Sequence, residues 1–160
     1  MITTTLCFLV RENQVLLAMK KRGFGLGKFN GVGGKLKPGE SVLTAAVRET
    51  EEEIAVRISE SNLKHQATLA FSFDGKSDWD NLCYVFVADS WAGEPAESEE
   101  MRPEWFKVEE LPFEKMWIDD SHWLPKVLTG LKLQAKFVFD SEGKTIKSHS
   151  VGEVSFLSLP

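Results

Sequence analysis

Glu49, Glu52 and Glu53 stand at i, i+3 and i+4 in the run SVLTAAVRETEEEIAV, so a helix there gathers three carboxylates on one face. Held within ~6 Å of one another, such groups repel by roughly 2 to 3 kcal/mol per pair at an effective dielectric near 20. A hard divalent cation removes that repulsion, and an all-oxygen donor set suits Mg²⁺ or Mn²⁺ better than zinc, which favours His and Cys. Arg48, four residues before Glu52, can pair with it and hold one carboxylate while the others face the metal. The plain alternative is a solvated acidic face on a surface helix. Against it stands LKPGE just upstream, a turn in which Pro38 cannot continue a strand and Gly39 is free to take positive φ. A turn feeding a carboxylate-bearing helix points to metal-dependent phosphate chemistry.

The elements that must position these groups follow from the pattern around them. Ser41 is a suitable N-cap for a helix running to about Ile54, with Val42, Leu43, Ala46, Val47, Thr50 and Ile54 as its mostly apolar stripe. Upstream, Gly23, Gly25, Gly27, Gly31, Gly33 and Gly34 make a loop whose backbone passes close to something, although glycines alone also suit a flexible surface loop. Gly33 could offer its carbonyl to a metal, and Lys20, Lys21, Arg22, Lys28 and Lys35 surround a path for a triphosphate. Ile2 to Val10 and Gln14 to Met19 read as a hairpin at the edge of the fold. Leu63 to Phe73 and Asn81 to Ala88 read as an inner strand pair with helices on both faces, and MRPEWF as a further short strand. The acidic stretch from Glu94 to Glu100 is most simply a solvated loop, from which one carboxylate could return to the metal as ligand or base.

A second constellation lies in LPFEKMWIDDSHWLPKVLTGL. Asp119 or Asp120 opens a second helix, Pro125 sits in its early part, and Leu124, Val127, Leu128 and Leu131 form its core face. Trp117, Asp119, Asp120 and Trp123 are poorly explained as core and suit a slot for a planar, hydrogen-bonding ring; the bland reading is an N-cap with a solvated neighbour. A terminal hairpin, QAKFVFD and KTIKSHSV around SEGK, carries Phe137 or Phe139 towards that slot.

With 160 residues and 42% hydrophobic content, the chain suits a single domain over residues 1–160 with one sizeable core. A net charge of -5 argues against nonspecific binding to a nucleic-acid polymer, which leaves a basic footprint. Cys7 and Cys83 both lie in apolar runs and read as buried free thiols of a reducing compartment, with an inter-strand disulfide as the alternative. There is neither a leader of signal-peptide form nor an apolar stretch of membrane-spanning length, so a cytoplasmic, monomeric protein without membrane contact is expected.

Gly34, Glu40, Arg48, Glu49, Glu52 and Glu53 resemble the Nudix box, G-x5-E-x7-R-E-U-x-E-E-x-G-U with U aliphatic. Thr50 departs from it at an aliphatic position and Ala55 at the last glycine, which leads to an expectation of altered helix packing and a different helix exit. The blocks MKKRGFGLGKFNGVGGK, ADS, ESEEMRPEWF, PFEKMWIDDSHW and FVF extend the resemblance to the MutT-related oxidised purine nucleoside triphosphatases, typified by 2-hydroxy-dATP diphosphatase. That resemblance implies an α/β/α sandwich with a mixed sheet. It implies a metal shell of Gly33 through its carbonyl, Glu49, Glu52, Glu53 and Glu100, and a nucleoside pocket of Thr5, Lys20, Phe24, Asn30, Phe71, Trp117, Asp119, Asp120 and Trp123. The loop from Asp74 to Asp80 and Asn81, which stands where the family often has methionine, leave base preference less defined than the reaction.

The implied substrate is an oxidised purine nucleoside triphosphate such as 8-oxo-dGTP or 2-hydroxy-dATP, cleaved to monophosphate and pyrophosphate by in-line attack of water. Glu53, with Glu100 as the alternative, stands nearest that water. An ionised Asp119 would accept purine N–H groups while a protonated Asp120 donates, since two close acids raise one pKa. Hydrolysis of ADP-ribose or a dinucleoside polyphosphate, and a non-catalytic nucleotide-binding domain, are the competing readings.

Overall fold

The computed structural model describes all 160 residues. Strands β1 (Ile2–Arg11) and β2 (Gln14–Lys20) pair only beside their turn, Val10 with Val15 and Arg11 with Gln14, and then diverge. Each finds another partner. β1 runs parallel to β5 (Asn81–Ala88), and β2 lies antiparallel to β6 (Met101–Lys107) and to the short β3 (Phe29–Asn30). β5 continues antiparallel to β4 (Lys64–Phe73), β4 parallel to β7 (Leu133–Phe139), and β7 antiparallel to β8 (Ile146–Glu153). The order is β3-β2-β1-β5-β4-β7-β8, with β6 on β2, and the sheet is mixed.

The expectation of an edge hairpin is therefore corrected: β1 lies inside the sheet. Cys7, Phe8 and Leu9 are all buried, so successive side chains are covered on opposite faces, which only an interior strand permits. β4 and β5 form the expected inner pair. Helix α1 (Val42–Ile54) covers one face, where Val42, Ala46 and Ile54 pack with Cys7, Leu9 and Phe86. Helix α2 (Asp120–Leu128) covers the other, where Trp123, Leu124 and Val127 pack with Phe8, Leu69 and Val85. Each fully buried side chain of this size contributes roughly 1.5 to 3 kcal/mol, so the two cores hold the sandwich as one α/β/α unit. Cys7 and Cys83 are buried free thiols in opposite cores, and burial pushes both up to about 12, which keeps them protonated and unreactive. No helix is long and apolar enough to cross a membrane.

Two details of the helices differ from expectation. Pro125 is the sixth residue of the nine in α2, beyond its opening turn, and Leu131 lies past the helix end and is exposed, so Trp123, Leu124 and Val127 form the buried face. In α1, Ser41 caps as expected by accepting from the Thr44 N–H at 3.1 Å. Thr50 is buried and donates its hydroxyl to the Ala46 carbonyl at 2.8 Å, which satisfies the polar group that an aliphatic residue would lack. The helix exit is not the altered one expected from Ala55. That residue takes φ 61° and ψ 25°, the left-handed cap a glycine would adopt, and its N–H donates to the Glu51 carbonyl at 3.0 Å. An L-residue there costs about 1 to 2 kcal/mol, partly offset by its smaller loss of backbone entropy on folding. Ala55→Gly should stabilise the chain by about 0.5 to 1 kcal/mol in urea unfolding; a fall in stability would show that the alanine methyl makes a compensating contact.

Candidate active site

Divergence of β1 from β2 leaves the first half of β1 with an open edge, and the glycine segment fills it. Cys7 and Val32 exchange backbone hydrogen bonds, the Thr5 N–H donates to the Gly34 carbonyl at 2.9 Å, and the Leu36 N–H to the Thr3 carbonyl at 3.2 Å. Gly33 passes so close to β1 that a Cβ there would lie 1.8 Å from the Thr5 carbonyl oxygen. At Gly34 a Cβ would lie 2.7 Å from Glu49 Oε1. Any side chain at either position would separate the loop from the strand or from the helix carboxylates.

Below this segment, Arg48 joins the acids of the box. Its Nε and Nη2 donate to the two oxygens of Glu40 at 2.6 and 2.8 Å, and its Nη1 donates to Glu49 at 2.9 Å and Glu52 at 3.1 Å. The sequence pointed to Glu52 alone. Glu40 is the bidentate partner, and that guanidinium, with the Lys37 N–H, lowers its pKa to about 2. Arg48 thereby orients Glu49 and Glu52.

Glu53 differs from its neighbours. It is buried on the core side of α1, where the helical pattern had placed it on an open acidic face. Burial raises its pKa to about 8, helped by the neighbouring Glu49 carboxyl and opposed by Lys20. When protonated it can share a hydrogen bond with Glu49. When ionised, both of its oxygens are buried with no donor. Such a pair of oxygens next to Glu49 fits a hard divalent cation, and the Gly33 carbonyl is outside every backbone hydrogen bond. The donors do not yet close on one point: no three acidic, histidine or cysteine side chains form a ready metal cage. Glu100, expected in that shell, is instead bonded to Arg22 Nη2 at 2.9 Å and lies 3.9 Å from Lys20 Nζ, and the Arg22 hydrogen bond holds its pKa below the usual range.

Next to the carboxylates, a cavity of about 310 Å³ opens where β1, β2, β4 and β5 face the glycine loop and the start of α2. Thr5, Lys20, Phe24, Asn30, Phe71, Trp117, Asp119 and Asp120 all line it, with Gly33 and Gly34 at the end nearest the helix carboxylates. Trp123, the remaining residue of the expected pocket, does not. It is fully buried in the core, edge-on to Phe8 at 6.0 Å, because its place one turn into α2 turns it towards the sheet. Its indole Nε1 donates to Asp119 Oδ2 at 2.8 Å, so it acts on the cavity through that acid. Of the two phenylalanines on β7, Phe139 lines the cavity and Phe137 is buried beside it.

The paired acids form the wall opposite the sheet. Asp120 Oδ2 accepts the Trp117 N–H at 3.1 Å, and both carboxyls are buried. Burial raises the Asp119 pKa to about 6 against the pull of the Trp123 hydrogen bond; burial and the Asp119 charge raise Asp120 further, well above its usual value. Two close, buried acids resist ionising together, so Asp120 keeps its proton to higher pH than Asp119. Asn30 accepts the Gly31 N–H through Oδ1 at 2.8 Å, which points its amide N–H groups outward as donors. Phe24 lies on Trp117 with ring centres 5.1 Å apart and planes at 28°.

Asn81, noted from the sequence as standing where the family often has methionine, lines the cavity, and sequence reasoning left out Phe73, Cys83, Met101 and Gly143, which line it too. Phe73 was legible as the residue two beyond Phe71 on one strand face. Gly143 comes from the last hairpin turn and carries no local signal of a distant pocket.

Comparison with known proteins agrees with this geometry. The NUDIX domain model matches residues 2–127. The chain is 41% identical over 153 residues, 96% of each chain, to the oxidized purine nucleoside triphosphate hydrolase of Danio rerio, and 41% identical over 150 residues, 94% of each chain, to that of Mus musculus. Among solved structures, a mutator MutT protein from Bacillus halodurans superposes with a TM-score of 0.79 at 26% identity, covering 94% of this chain and 97% of that one. The chain belongs to the Nudix family and is a hydrolase of nucleotide substrates. Nudix hydrolases generally use divalent metal ions, in keeping with the oxygen donors around Glu53.

Proposed function

We propose that this enzyme hydrolyses oxidised purine nucleoside triphosphates, 8-oxo-dGTP and 2-hydroxy-dATP among them, to the monophosphate and pyrophosphate, using Mg²⁺ or Mn²⁺. The observation that carries this reading is the buried Asp119–Asp120 pair, with the Trp123 indole donating to Asp119 Oδ2 at 2.8 Å, set in the same cavity as the glycine segment beside the box glutamates. Two relatives 41% identical over nearly their full length bear names of that activity. The chain would act as a single 160-residue Nudix unit, a cytoplasmic monomer that clears damaged purines before they reach DNA, without binding nucleic acid or membrane.

The residues divide the work by position. Asp119 accepts purine N–H groups, Asp120 donates, and Asn30 adds an amide donor, so the cavity reads hydrogen-bond pattern on a ring held against Trp117. Lys20 reaches from the base cavity towards the carboxylates and is placed to neutralise the triphosphate. Gly33, Glu49, Glu52 and Glu53 would hold a divalent ion, with Glu100 joining once it leaves Arg22; the ion supplies charge neutralisation and a lowered water pKa. Glu53 takes the proton of the attacking water, since its buried oxygens have no competing donor whereas Glu100 is tied to Arg22. Water attacks in line at a phosphorus of the α–β bridge; the bond from that phosphorus to the bridging oxygen breaks and its electron pair leaves on the oxygen, giving the monophosphate and pyrophosphate.

Oxidation changes only one or two groups on the purine edge, yet a site that leaves a buried polar group unpaired with the normal base discriminates by several kcal/mol. The test is kcat/KM with Mg²⁺ for 8-oxo-dGTP, 2-hydroxy-dATP, the normal nucleoside triphosphates, ADP-ribose and a dinucleoside tetraphosphate, with pyrophosphate and orthophosphate assayed separately. Oxidised purine triphosphates should lead the panel by tenfold or more, releasing pyrophosphate. Preference for ADP-ribose, or orthophosphate released from the triphosphates, would overturn the reading.

A further inference from the structure

His122 on α2 and His149 on β8 meet at the surface, with ring centres 4.5 Å apart and planes inclined by 53°. Phe137 backs both. It is the antiparallel partner of His149, whose ring lies within 5° of parallel to it at 5.8 Å, and its centre is 6.1 Å from that of His122. Among the three histidines only His65 has its ring in a hydrogen bond, so the nitrogens of His122 and His149 are uncommitted within the chain. Both side chains are exposed.

We propose that His122 and His149 form a second cation site, separate from the box glutamates and selective for borderline-soft divalent ions, with Zn²⁺ foremost. Two neutral imidazoles on one ion, with metal–nitrogen bonds of about 2.0 to 2.1 Å, place their ring centres about 4.5 to 5 Å apart at right-angled to tetrahedral geometry. The observed spacing falls in that range without movement of either backbone. Two nitrogen donors reject Mg²⁺, which prefers oxygen, and the remaining positions on zinc go to water. The two sites thus have opposite preferences. The ion would join α2 to β8 just beyond the base-reading acids, since the backbone N–H of His122 donates to the Asp119 backbone carbonyl at 2.9 Å.

The test is calorimetric titration of the full chain with ZnCl₂ in large excess MgCl₂, which competes with zinc for the carboxylates, alongside His122→Gln and His149→Gln. The wild type should bind one zinc per chain with a micromolar Kd, and each variant should bind about tenfold or more weakly. Zinc-free melting temperatures should match, because both side chains are exposed. In the wild type, long-range ¹H–¹⁵N spectra should show both imidazoles shifting together as zinc is added. Absence of zinc binding in magnesium, binding that survives both substitutions, or loss confined to one of them would each overturn the site.

Discussion

Glu53→Gln is expected to lower kcat by roughly 10³-fold while the fold is retained, because the exchange keeps the shape and removes the buried charge that accepts the proton. The same substitution has an opposite effect on stability in metal-free protein. The Glu53 pKa is raised from an ordinary 4.5 to about 8, so its contribution is fully favourable below about 4.5 and is lost as pH rises towards 8. Over that window the wild type should lose a few kcal/mol relative to the variant, whose amide never ionises and can donate to Glu49. Millimolar Mg²⁺ should reverse the order at pH 8, raising the wild-type Tm more than that of the variant. Unchanged kcat would remove Glu53 from the chemistry, and equal Mg²⁺ shifts in Tm would remove it from the metal shell.

The second large effect is expected at Asp119. Replacing it with alanine removes the acceptor of the Trp123 indole and of the purine N–H groups, which should cost about 1 to 3 kcal/mol in kcat/KM for oxidised purines. Normal purines should lose less, so the preference narrows. Wild-type preference should itself depend on pH, rising as Asp119 ionises near 6 and falling once Asp120 loses its proton at higher pH. Both acids have folded pKa values above their unfolded ones, so their ionisation also lowers stability as pH rises. Trp123→Phe should move the rising limb upward, because the carboxylate loses its hydrogen bond. An Asp119→Ala enzyme with wild-type kcat/KM on every purine would reduce this acid to a structural role.

Much of the molecule was legible without coordinates, for reasons that are local. Ser41 caps α1 where a hydroxyl three residues before a free N–H must, and the alternation of Cys83 and Val85 with Tyr84 and Phe86 divides one strand between two cores. Side-chain spacing alone placed Arg48 within reach of Glu52, and adjacency alone implied that Asp119 and Asp120 would titrate as a pair. Other features were decided only in three dimensions. A helical pattern gives an angle around the axis but not the depth at which a neighbouring element covers it, so it placed Glu53 on an open face when the packed protein buries it. Trp117 and Trp123, six residues apart, look equivalent in sequence, yet the first, ahead of α2, lines the cavity and the second, on α2, lies in the core. The hairpin pattern of β1 and β2 could not show where the strands part, because that depends on β5 and β6 competing for their edges. That parting admits Gly33 and Gly34 beside β1, bringing the loop backbone to Glu49. Sequence determined which groups were available and how neighbours along one element would face, whereas pairing between distant strands decided which of them were buried, and therefore which carboxyls hold protons.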